Sequence, residues 1–262
     1  MMKKILILIT ACLVLCACKD QKNTERQILL SNNYSQIWCS DFAPNSIPIK
    51  KQKITKIDVE NNIEEITTIE SNSDGFITAV FINEDKIIDV DYKNSNIKLM
   101  IKDKTLSSFQ LTLDENKNII NLFNDQNKQV YDTELDEKGR ISKSENKIWE
   151  NNAIEQYTYL KDRLDIYSLE QEEKVINNVS LGSSIKTYYF YNQQNQLIKS
   201  VTQNFILIDK KKLSNIIRPK GLRESKITCF YLSHNQYGDW TESFCLNRFK
   251  QKNKSVSRVL EY

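Results

Sequence analysis

Two cysteines and the one histidine of the chain lie within a short stretch, CFYLSHNQYGDWTESFC, which runs from Cys229 to Cys245. Thiolate and imidazole groups bind zinc, and a thiol pair can instead form a redox centre or a disulfide. The spacing of His234 from the two cysteines matches no zinc finger or ribbon, and the chain contains no C-x-x-C motif. We therefore interpret His234 as a solvated turn residue or a partner of Asp239, and we predict no metal or cofactor.

The turn between the two cysteines predicts how they meet. Asn235 to Asp239 has the composition of a tight hairpin turn, and counting outward from it places Cys229 directly opposite Cys245. The count assigns them to a hydrogen-bonded position, where Cα atoms are about 5.5 Å apart. An oxidising compartment would join such a pair as a disulfide. Two alternatives stay open, namely a bridge from Cys39 to one of these cysteines and no bridge at all.

The N-terminus, MMKKILILITACLVLCACKDQKN, has the form of a secretory signal. Lys3 and Lys4 give a positive start, and an apolar run from Ile5 to Leu15 follows. This run is shorter than the roughly 20 apolar residues that span a bilayer as a helix. Residues 1–17 are therefore predicted to be a signal peptide that is removed.

The end of this signal, Leu15-Cys16-Ala17-Cys18, resembles the bacterial lipobox. The resemblance implies that Cys18 becomes the mature N-terminus, with an S-diacylglyceryl group and an N-acyl chain such as palmitate. Several acyl chains on one residue form a stable membrane anchor. Lipidation at Cys16 and cleavage by the ordinary signal peptidase are the alternatives. Lys19, rather than Asp, follows Cys18, which favours the outer membrane over the inner membrane. The implied partners are the membrane and the lipoprotein processing and sorting machinery.

The rest of the chain divides into a tether and one domain. Residues 18–35 are mostly polar and are predicted to be a lipid-anchored tether, whereas residues 36–262 form a single β-rich domain that faces the periplasm. Turn signals recur about every ten residues, which is typical of an antiparallel meander. Apolar residues alternate with polar ones in several of the runs between turns, so one face packs and the other meets water. Two such sets are Ile88, Val90, Tyr92 and Phe109, Leu111, Leu113.

One turn pattern repeats along the chain. The pattern has seven positions. The first is apolar, the second is Asp or Asn, and the third and fourth are free. The fifth is Gly, Asn or Lys, the sixth is free, and the seventh is apolar. The Asp or Asn side chain caps the turn, and the Gly or Asn adopts the left-handed conformation of a hairpin loop. The pattern is similar to the hairpin turns of YD-repeat lipoproteins. Its four examples are LDENKNI (113–119), LDEKGRI (135–141), YNQQNQL (191–197) and HNQYGDW (234–240).

These patterns predict an all-β fold, an antiparallel β-meander that forms a twisted open sheet or half-barrel. Few or no helices are expected beyond the N-terminal signal segment. The best helix candidate is DRLDIYSLEQEEK at 162–174, where a strand is the alternative.

The chain shows no pattern of a catalytic centre. One histidine in a turn gives no Ser-His-acid or Cys-His arrangement, and five glycines supply no phosphate-binding loop. Paired carboxylates such as Glu64-Glu65 and Glu172-Glu173 would suit a hydrolase, but solvated strand faces are the favoured explanation. The aromatic clusters at 157–159 and 188–191 would line a glycan or lipid groove or, more commonly, form cross-strand packing pairs. We therefore predict no catalytic residues and a non-enzymatic protein.

Composition excludes other classes of protein. The 262 residues are 40% hydrophobic and 27% charged, a balance typical of globular proteins. The net charge is +3, from 37 basic and 34 acidic residues, and this balance gives no case for a nucleic-acid partner, which would need a concentrated basic face.

The lipobox at Cys18, the segment from Cys229 to Cys245 and the closing strand SVSRVLEY together resemble the YnfC-like family of bacterial lipoproteins. The resemblance is sharp at the two ends of the chain, and it implies a membrane-anchored lipoprotein without a known activity. We expect a non-enzymatic binding or envelope-structure module, with an envelope protein or glycan as its partner. The alternatives are a lipid or glycan carrier with a half-barrel cavity and, less favoured, a hydrolase that uses an acidic pair.

Overall fold

The computed structural model describes residues 24–148, 152–159, 166–174, 181–208 and 225–262. A helix, α1, covers residues 24–37, and a 3-10 turn, Ser40–Phe42, follows it. The strands are Lys51–Asp58 (β1), Ile63–Ser71 (β2), Ile77–Ile82 (β3), Asp85–Asp91 (β4), Asn96–Ile101 (β5), Lys104–Leu113 (β6), Ile119–Phe123 (β7), Gln129–Leu135 (β8), Ile141–Asn146 (β9), Asn152–Tyr159 (β10), Ile166–Lys174 (β11), Leu181–Tyr191 (β12), Leu197–Ile208 (β13), Ser225–His234 (β14), Trp240–Leu246 (β15) and Lys252–Glu261 (β16).

Each strand pairs antiparallel with the strands next to it in sequence, which confirms the predicted antiparallel meander. β1 pairs with β2, with Lys51 opposite Glu70, and also with β16, with Lys51 opposite Glu261. This second pairing joins the first strand to the last and closes the sheet. Closure goes one step beyond the twisted open sheet or half-barrel that the sequence predicts.

The repeated turn pattern forms the predicted hairpin loops. In the turn after β6, Asp114 Oδ1 accepts hydrogen bonds from the backbone N–H groups of Asn116 and Asn118, at 2.9 and 2.8 Å. The residue before Asn118, Lys117, has a φ of 68°, the left-handed conformation that the loop requires. All four predicted examples have the same backbone hydrogen bond across the loop, from the N–H of the Asp or Asn to a carbonyl four residues later.

The alternation predicted for the strands is also present. Phe109 and Leu111 on β6 are buried, while Gln110 and Thr112, which follow them in turn, are exposed. Leu113, the third member of the set, packs against the same core. In this part of β6, apolar side chains thus point into the closed sheet and polar ones face outward.

Residues 24–35 are part of the folded domain, so the prediction of a tether over 18–35 is wrong for this portion. Leu30 and Tyr34 on α1 are 1% and 0% exposed, and Tyr34 belongs to the main hydrophobic core. Asn32 and Asn33 of the same helix are buried as well. The segment resembles a tether because these buried asparagines are polar and leave few apolar residues to mark the helix.

The asparagines of α1 bind the backbone at the first residues of strands. Asn33 Oδ1 accepts a hydrogen bond from the N–H of Ile77 at 2.8 Å, where β3 begins. Asn32 Oδ1 likewise accepts from the N–H of Ile141 at 3.2 Å, where β9 begins. These contacts place α1 across one end of the closed sheet, which we call the helix-side end. The turns at this end include Asn72–Phe76, Asp114–Asn118, Asp136–Arg140, Asn192–Gln196 and Asn235–Asp239.

The candidate helix at 162–174 is corrected over its second part. Residues Ile166–Lys174 form β11, which pairs with β10 and β12, and residues 162–165 lie outside the described part of the chain. Pairing with a strand on each side satisfies the backbone without a helix, so tertiary context decides between the two alternatives. Within the described residues, no helix has the length and apolar character needed to cross a membrane.

Candidate functional site

The cysteine hairpin consists of β14, β15 and the Asn235–Asp239 turn. Cys229 and Cys245 lie directly opposite each other and form a disulfide, as the count from the turn predicts. Cys39 is a free thiol, so it is not paired with either of them.

The predicted spacing of this pair is wrong in one respect. The two Cα atoms are 4.0 Å apart, shorter than the distance of about 5.5 Å expected for a hydrogen-bonded position. Ser233, between the turn and Cys229, has a φ of 52° and interrupts the ladder there. Counting residues in twos from the turn therefore does not correctly predict whether the Cys229–Cys245 pair occupies a hydrogen-bonded position of the ladder.

The thiols and the histidine of the hairpin have partners within the protein. Both thiols are used in the bridge, so neither is available as a thiolate ligand for zinc. The ring of His234 makes a hydrogen bond through Nε2 to the carbonyl of Leu197, at 2.9 Å, and so links the hairpin to β13. Across the described ranges, no group of three or more His, Cys, Asp or Glu side chains is placed to hold a metal.

Asp239, in the turn of the hairpin, holds the loop that follows the 3-10 turn. Its Oδ1 accepts a hydrogen bond from the backbone N–H of Asn45, and its Oδ2 accepts one from the hydroxyl of Tyr262, both at 2.7 Å. Burial raises the pKa of Asp239, and the bond from Tyr262 opposes that shift. Because each carboxyl oxygen already has a protein donor, Asp239 has a structural role.

Arg258 on β16 ties the 3-10 turn to the sheet from inside. Its guanidinium donates to the carbonyls of Trp240 and Phe42 and to Oε1 of Gln52, at 3.1, 3.2 and 2.7 Å. It also lies over the ring of Trp240, 4.4 Å from the centroid. Burial lowers the pKa of Arg258 to about 10, so the side chain keeps its charge at neutral pH.

Asp41 on the 3-10 turn is the buried carboxyl at the centre of this region. Its Oδ2 accepts a hydrogen bond from the hydroxyl of Tyr231 at 2.7 Å, and its backbone carbonyl accepts one from the indole N–H of Trp240 at 2.9 Å. Burial raises the pKa of Asp41, and the bond from Tyr231 opposes the shift. The side chain of Tyr189 also interacts with this carboxyl and opposes the shift, although it makes no well-formed hydrogen bond to the buried Oδ1.

Two cavities flank Asp41. The first, the helix-side cavity, has a volume of about 450 Å³ and lies between α1, the loop after the 3-10 turn and two hairpins. The second, the disulfide cavity, has a volume of about 300 Å³ and lies inside the sheet beside Cys229 and Cys245. The helix-side cavity is lined by Thr24, Gln27, Ser31, Ser40, Asp41, Ala43, Pro44, Asn45, Ser46, Tyr189, Tyr191, Gln194, Asn195, Leu197, Gly238, Asp239 and Trp240.

The two cavities differ in charge. The charged side chains that line the helix-side cavity in the described part of the chain are Asp41 and Asp239. The disulfide cavity contains Lys56 and Lys254 in addition to Asp41. Lys56 forms an ion pair with Glu65 at 2.8 Å, whereas burial and the like charge of Lys56 lower the pKa of Lys254. Basic side chains thus line the disulfide cavity, whereas none is found among the described residues that line the helix-side cavity.

The thiol of Cys39, which lines the disulfide cavity, is expected to be unreactive in the folded protein. Burial raises its pKa to about 12, and nearby Asp41 contributes in the same direction. Alkylation requires the thiolate, which is scarce several pH units below the pKa. We expect iodoacetamide at pH 8 to label Cys39 slowly in native protein and rapidly in urea, as measured by peptide mass. Equal rates in the two conditions would contradict this prediction.

The sequence patterns miss several of the residues around the cavities. Asp41 belongs to no motif, and the 3-10 turn has no repeat to mark it, while Tyr231 lies within the cysteine stretch without any signal of its contact with Asp41. The sequence does indicate that Arg258 is buried, because strand alternation puts it on the same side of β16 as Val256 and Leu260. An arginine in phase with apolar residues on a strand points toward the core.

The remaining residues that the sequence singles out are the lipidation cysteine, the paired carboxylates and the aromatic clusters, and they do not form one site in the described part of the chain. Cys18 and its flanking residues lie outside the described part of the chain. Of the Glu64-Glu65 pair, Glu64 is exposed and Glu65 binds Lys56. In the aromatic clusters, Tyr157 and Tyr189 pack with Ile141 in a second core cluster, which is the cross-strand packing alternative.

No family model matches this chain. No curated protein matches it either. Similar solved structures include two crystal structures of porin-like proteins, one from Bacteroides uniformis and one from Bacteroides vulgatus. Each is 12% identical in sequence. The alignment with the B. uniformis protein covers 82% of this chain and 97% of that protein, with a TM-score of 0.37. The alignment with the B. vulgatus protein covers 83% of this chain and 99% of that protein, with a TM-score of 0.34. Similarity at this level carries no argument about function.

Proposed function

We propose that this chain is a lipoprotein anchored to the cell envelope through Cys18, and that its closed sheet is a non-enzymatic binding module in the periplasm. The lipobox that ends at Cys18 is the observation that carries the anchor. The resemblance to the YnfC-like lipoproteins supports the same assignment, and Lys19 after the lipid cysteine favours the outer membrane.

The outward face of the sheet suits a domain that stands in water. Charged side chains lie beside buried residues on several strands, for example Lys53 on β1 and Glu134 on β8, both of which are exposed. A charged side chain facing lipid near the bilayer midplane costs about 2–4 kcal/mol for Lys or Arg. An acyl anchor at the N-terminus would attach such a domain without placing its sheet in lipid.

The anchor would emerge at the helix-side end. Thr24 and Gln27 line the helix-side cavity together with residues of the Asn192–Gln196 and Asn235–Asp239 turns. Six residues, Cys18 to Asn23, precede Thr24, and a fully extended chain of that length spans about 20 Å. The helix-side end therefore would face the membrane that carries the anchor.

The shape of the interior supports a binding module over the alternatives. The core and α1 fill much of the sheet, and the two cavities beside Asp41 are of small-molecule size. A carrier of long lipid chains would need a deeper apolar cavity. A hydrolase with an acidic pair would need two available carboxyls, but both oxygens of Asp239 are occupied by Asn45 and Tyr262.

Labelling with radioactive palmitate tests the anchor. Wild-type protein expressed in a bacterial host should incorporate the label and sediment with membranes, and Cys18→Ala should abolish both. Cys16→Ala is the matched control, because Cys16 lies in the segment removed by processing and the variant should still be labelled. Labelling of Cys18→Ala at the wild-type level would refute lipidation at this residue.

A further inference from the structure

One part of the outer surface of the sheet combines aromatic and aliphatic side chains with lysines. Tyr189, Ser200 and Tyr231 are buried on three adjacent strands, β12, β13 and β14, so the alternate residues of these strands point outward. We call the surface they form the basic-aromatic face, and its residues are Lys186, Phe190, Lys199, Lys226, Phe230 and Leu232.

The residues of this face are neighbours in the sheet. Phe190 lies directly opposite Lys199, which in turn lies opposite Phe230. The ammonium group of Lys199 is 5.2 Å from the ring centroid of Phe190 and 6.0 Å from that of Phe230. Phe190 and Leu232 are 39% and 44% exposed. The apolar side chains therefore belong to one surface, whereas apolar residues exposed singly would need no explanation.

The charges of this face have one sign. Lys186, Lys199 and Lys226 point outward, and no acidic side chain does so among the described residues of β12, β13 and β14. Other strands carry outward acids, such as Asp91 on β4 and Glu134 on β8, which are exposed. A surface that joins aromatic and aliphatic side chains to lysines is complementary to an anionic bilayer, because apolar groups enter the headgroup region and lysines bind acidic headgroups.

The proposed anchor would leave the fold beside this face. Thr24 lines the helix-side cavity together with the turns that join β12 to β13 and β14 to β15. Phe190 and Leu232 lie within three residues of these same turns. The six residues from Cys18 to Asn23 span at most about 20 Å, so the face is held close to the bilayer. Such a short tether makes docking effectively intramolecular, and a weak contact is then sufficient.

We propose that the basic-aromatic face docks on the anionic bilayer that carries the lipid anchor, so that the domain leans toward the membrane on the side of β12, β13 and β14. Phe190, Phe230 and Leu232 contact the headgroup region, and the lysines bind acidic headgroups. The inference rests on the proposed anchor at Cys18 and gives the anchored domain a fixed orientation.

Fluorescence quenching in vesicles tests the docking. Mature lipidated protein would carry a thiol-linked fluorophore at Thr228→Cys, which lies on this face between Lys226 and Phe230. The matched control is Thr112→Cys, at an exposed position of β6 on another side of the closed sheet. In vesicles that contain phosphatidylglycerol and a lipid with a nitroxide on its headgroup, we expect the label at 228 to lose most of its emission and the label at 112 to keep it. Protein without an introduced cysteine gives the background from Cys39.

Charge variants show whether the lysines hold the face to the bilayer. Lys199→Glu/Lys226→Glu should remove the difference in quenching between the two labels, because the face would then repel acidic headgroups. Lys104→Glu/Lys128→Glu changes the net charge by the same amount at exposed positions outside the face and should keep the difference. Thermal melts verify that each variant folds. Vesicles of phosphatidylcholine alone should also remove the difference, and this arm needs no charge variant.

Flotation of the same vesicles in a density gradient reports separately on the anchor. Protein that floats but is quenched equally at the two positions, or at neither, would overturn the docking and leave the anchor in place. Protein that fails to float would overturn both. A difference that persists in phosphatidylcholine vesicles would overturn the role of acidic lipids. An emission shift of the label at 228 that depends on protein concentration in detergent would show instead that the face binds a second copy of the chain.

Discussion

Replacement of Tyr34 by alanine is expected to lower the free energy of unfolding by about 3–5 kcal/mol, the range for truncating a buried aromatic side chain. Tyr34 is 0% exposed and packs in the main core from the last turn of α1. Its hydroxyl also accepts a hydrogen bond from Nε2 of Gln52 on β1 at 2.8 Å. Urea denaturation followed by tryptophan fluorescence measures the change.

Two further variants make this result specific. Tyr34→Phe keeps the ring and should cost about 1 kcal/mol, because Gln52 still donates to the carbonyl of Phe42. Arg26→Ala, at an exposed position of the same helix, should change stability by less than about 0.5 kcal/mol. If Tyr34→Ala were as mild as Arg26→Ala, residues 24–37 would be a tether after all.

Loss of the disulfide is expected to have a similarly large effect. Cys229 and Cys245 are 16 residues apart, and a bridge that closes a loop of about 15 residues contributes roughly 3 kcal/mol in the chain-entropy account. The double variant Cys229→Ala/Cys245→Ala should therefore unfold at a lower urea concentration than wild type under oxidising conditions.

Dithiothreitol provides the control for this prediction. It should shift the wild-type transition toward that of the double variant and leave the transition of the double variant unchanged. A wild-type midpoint that is insensitive to complete reduction, verified by thiol counting, would show that the bridge contributes little to stability.

Local patterns predict the hairpins of this protein well because each turn is specified by residues close in sequence. In the turn at 135–141, Asp136 caps the loop and Gly139 takes the left-handed conformation, with a φ of 77°. The opposition of Cys229 and Cys245 follows from the position of one such turn. The position of the turn does not predict whether the cysteine pair is hydrogen-bonded. The reason is that Ser233 adopts a left-handed conformation that no nearby residue signals.

Local sequence patterns do not predict the contacts between distant parts of the chain. The pairing of β1 with β16 closes the sheet, but no turn connects these strands to mark it. The role of α1 depends on Asn32 and Asn33, which are buried because they bind the first residues of strands far away in sequence. Asp41 meets Tyr231 across 190 positions, so the candidate site arises from the tertiary structure alone.

The mass of the mature N-terminal peptide tests the central proposal, an envelope lipoprotein anchored at Cys18, most directly. Protein purified from bacterial membranes would be digested with a protease and its acylated peptides analysed by tandem mass spectrometry. We expect a peptide that begins at Cys18 and carries a diacylglyceryl group on sulfur and an acyl chain on the α-amine. A mature N-terminus at any other residue, or an unmodified Cys18, would contradict it.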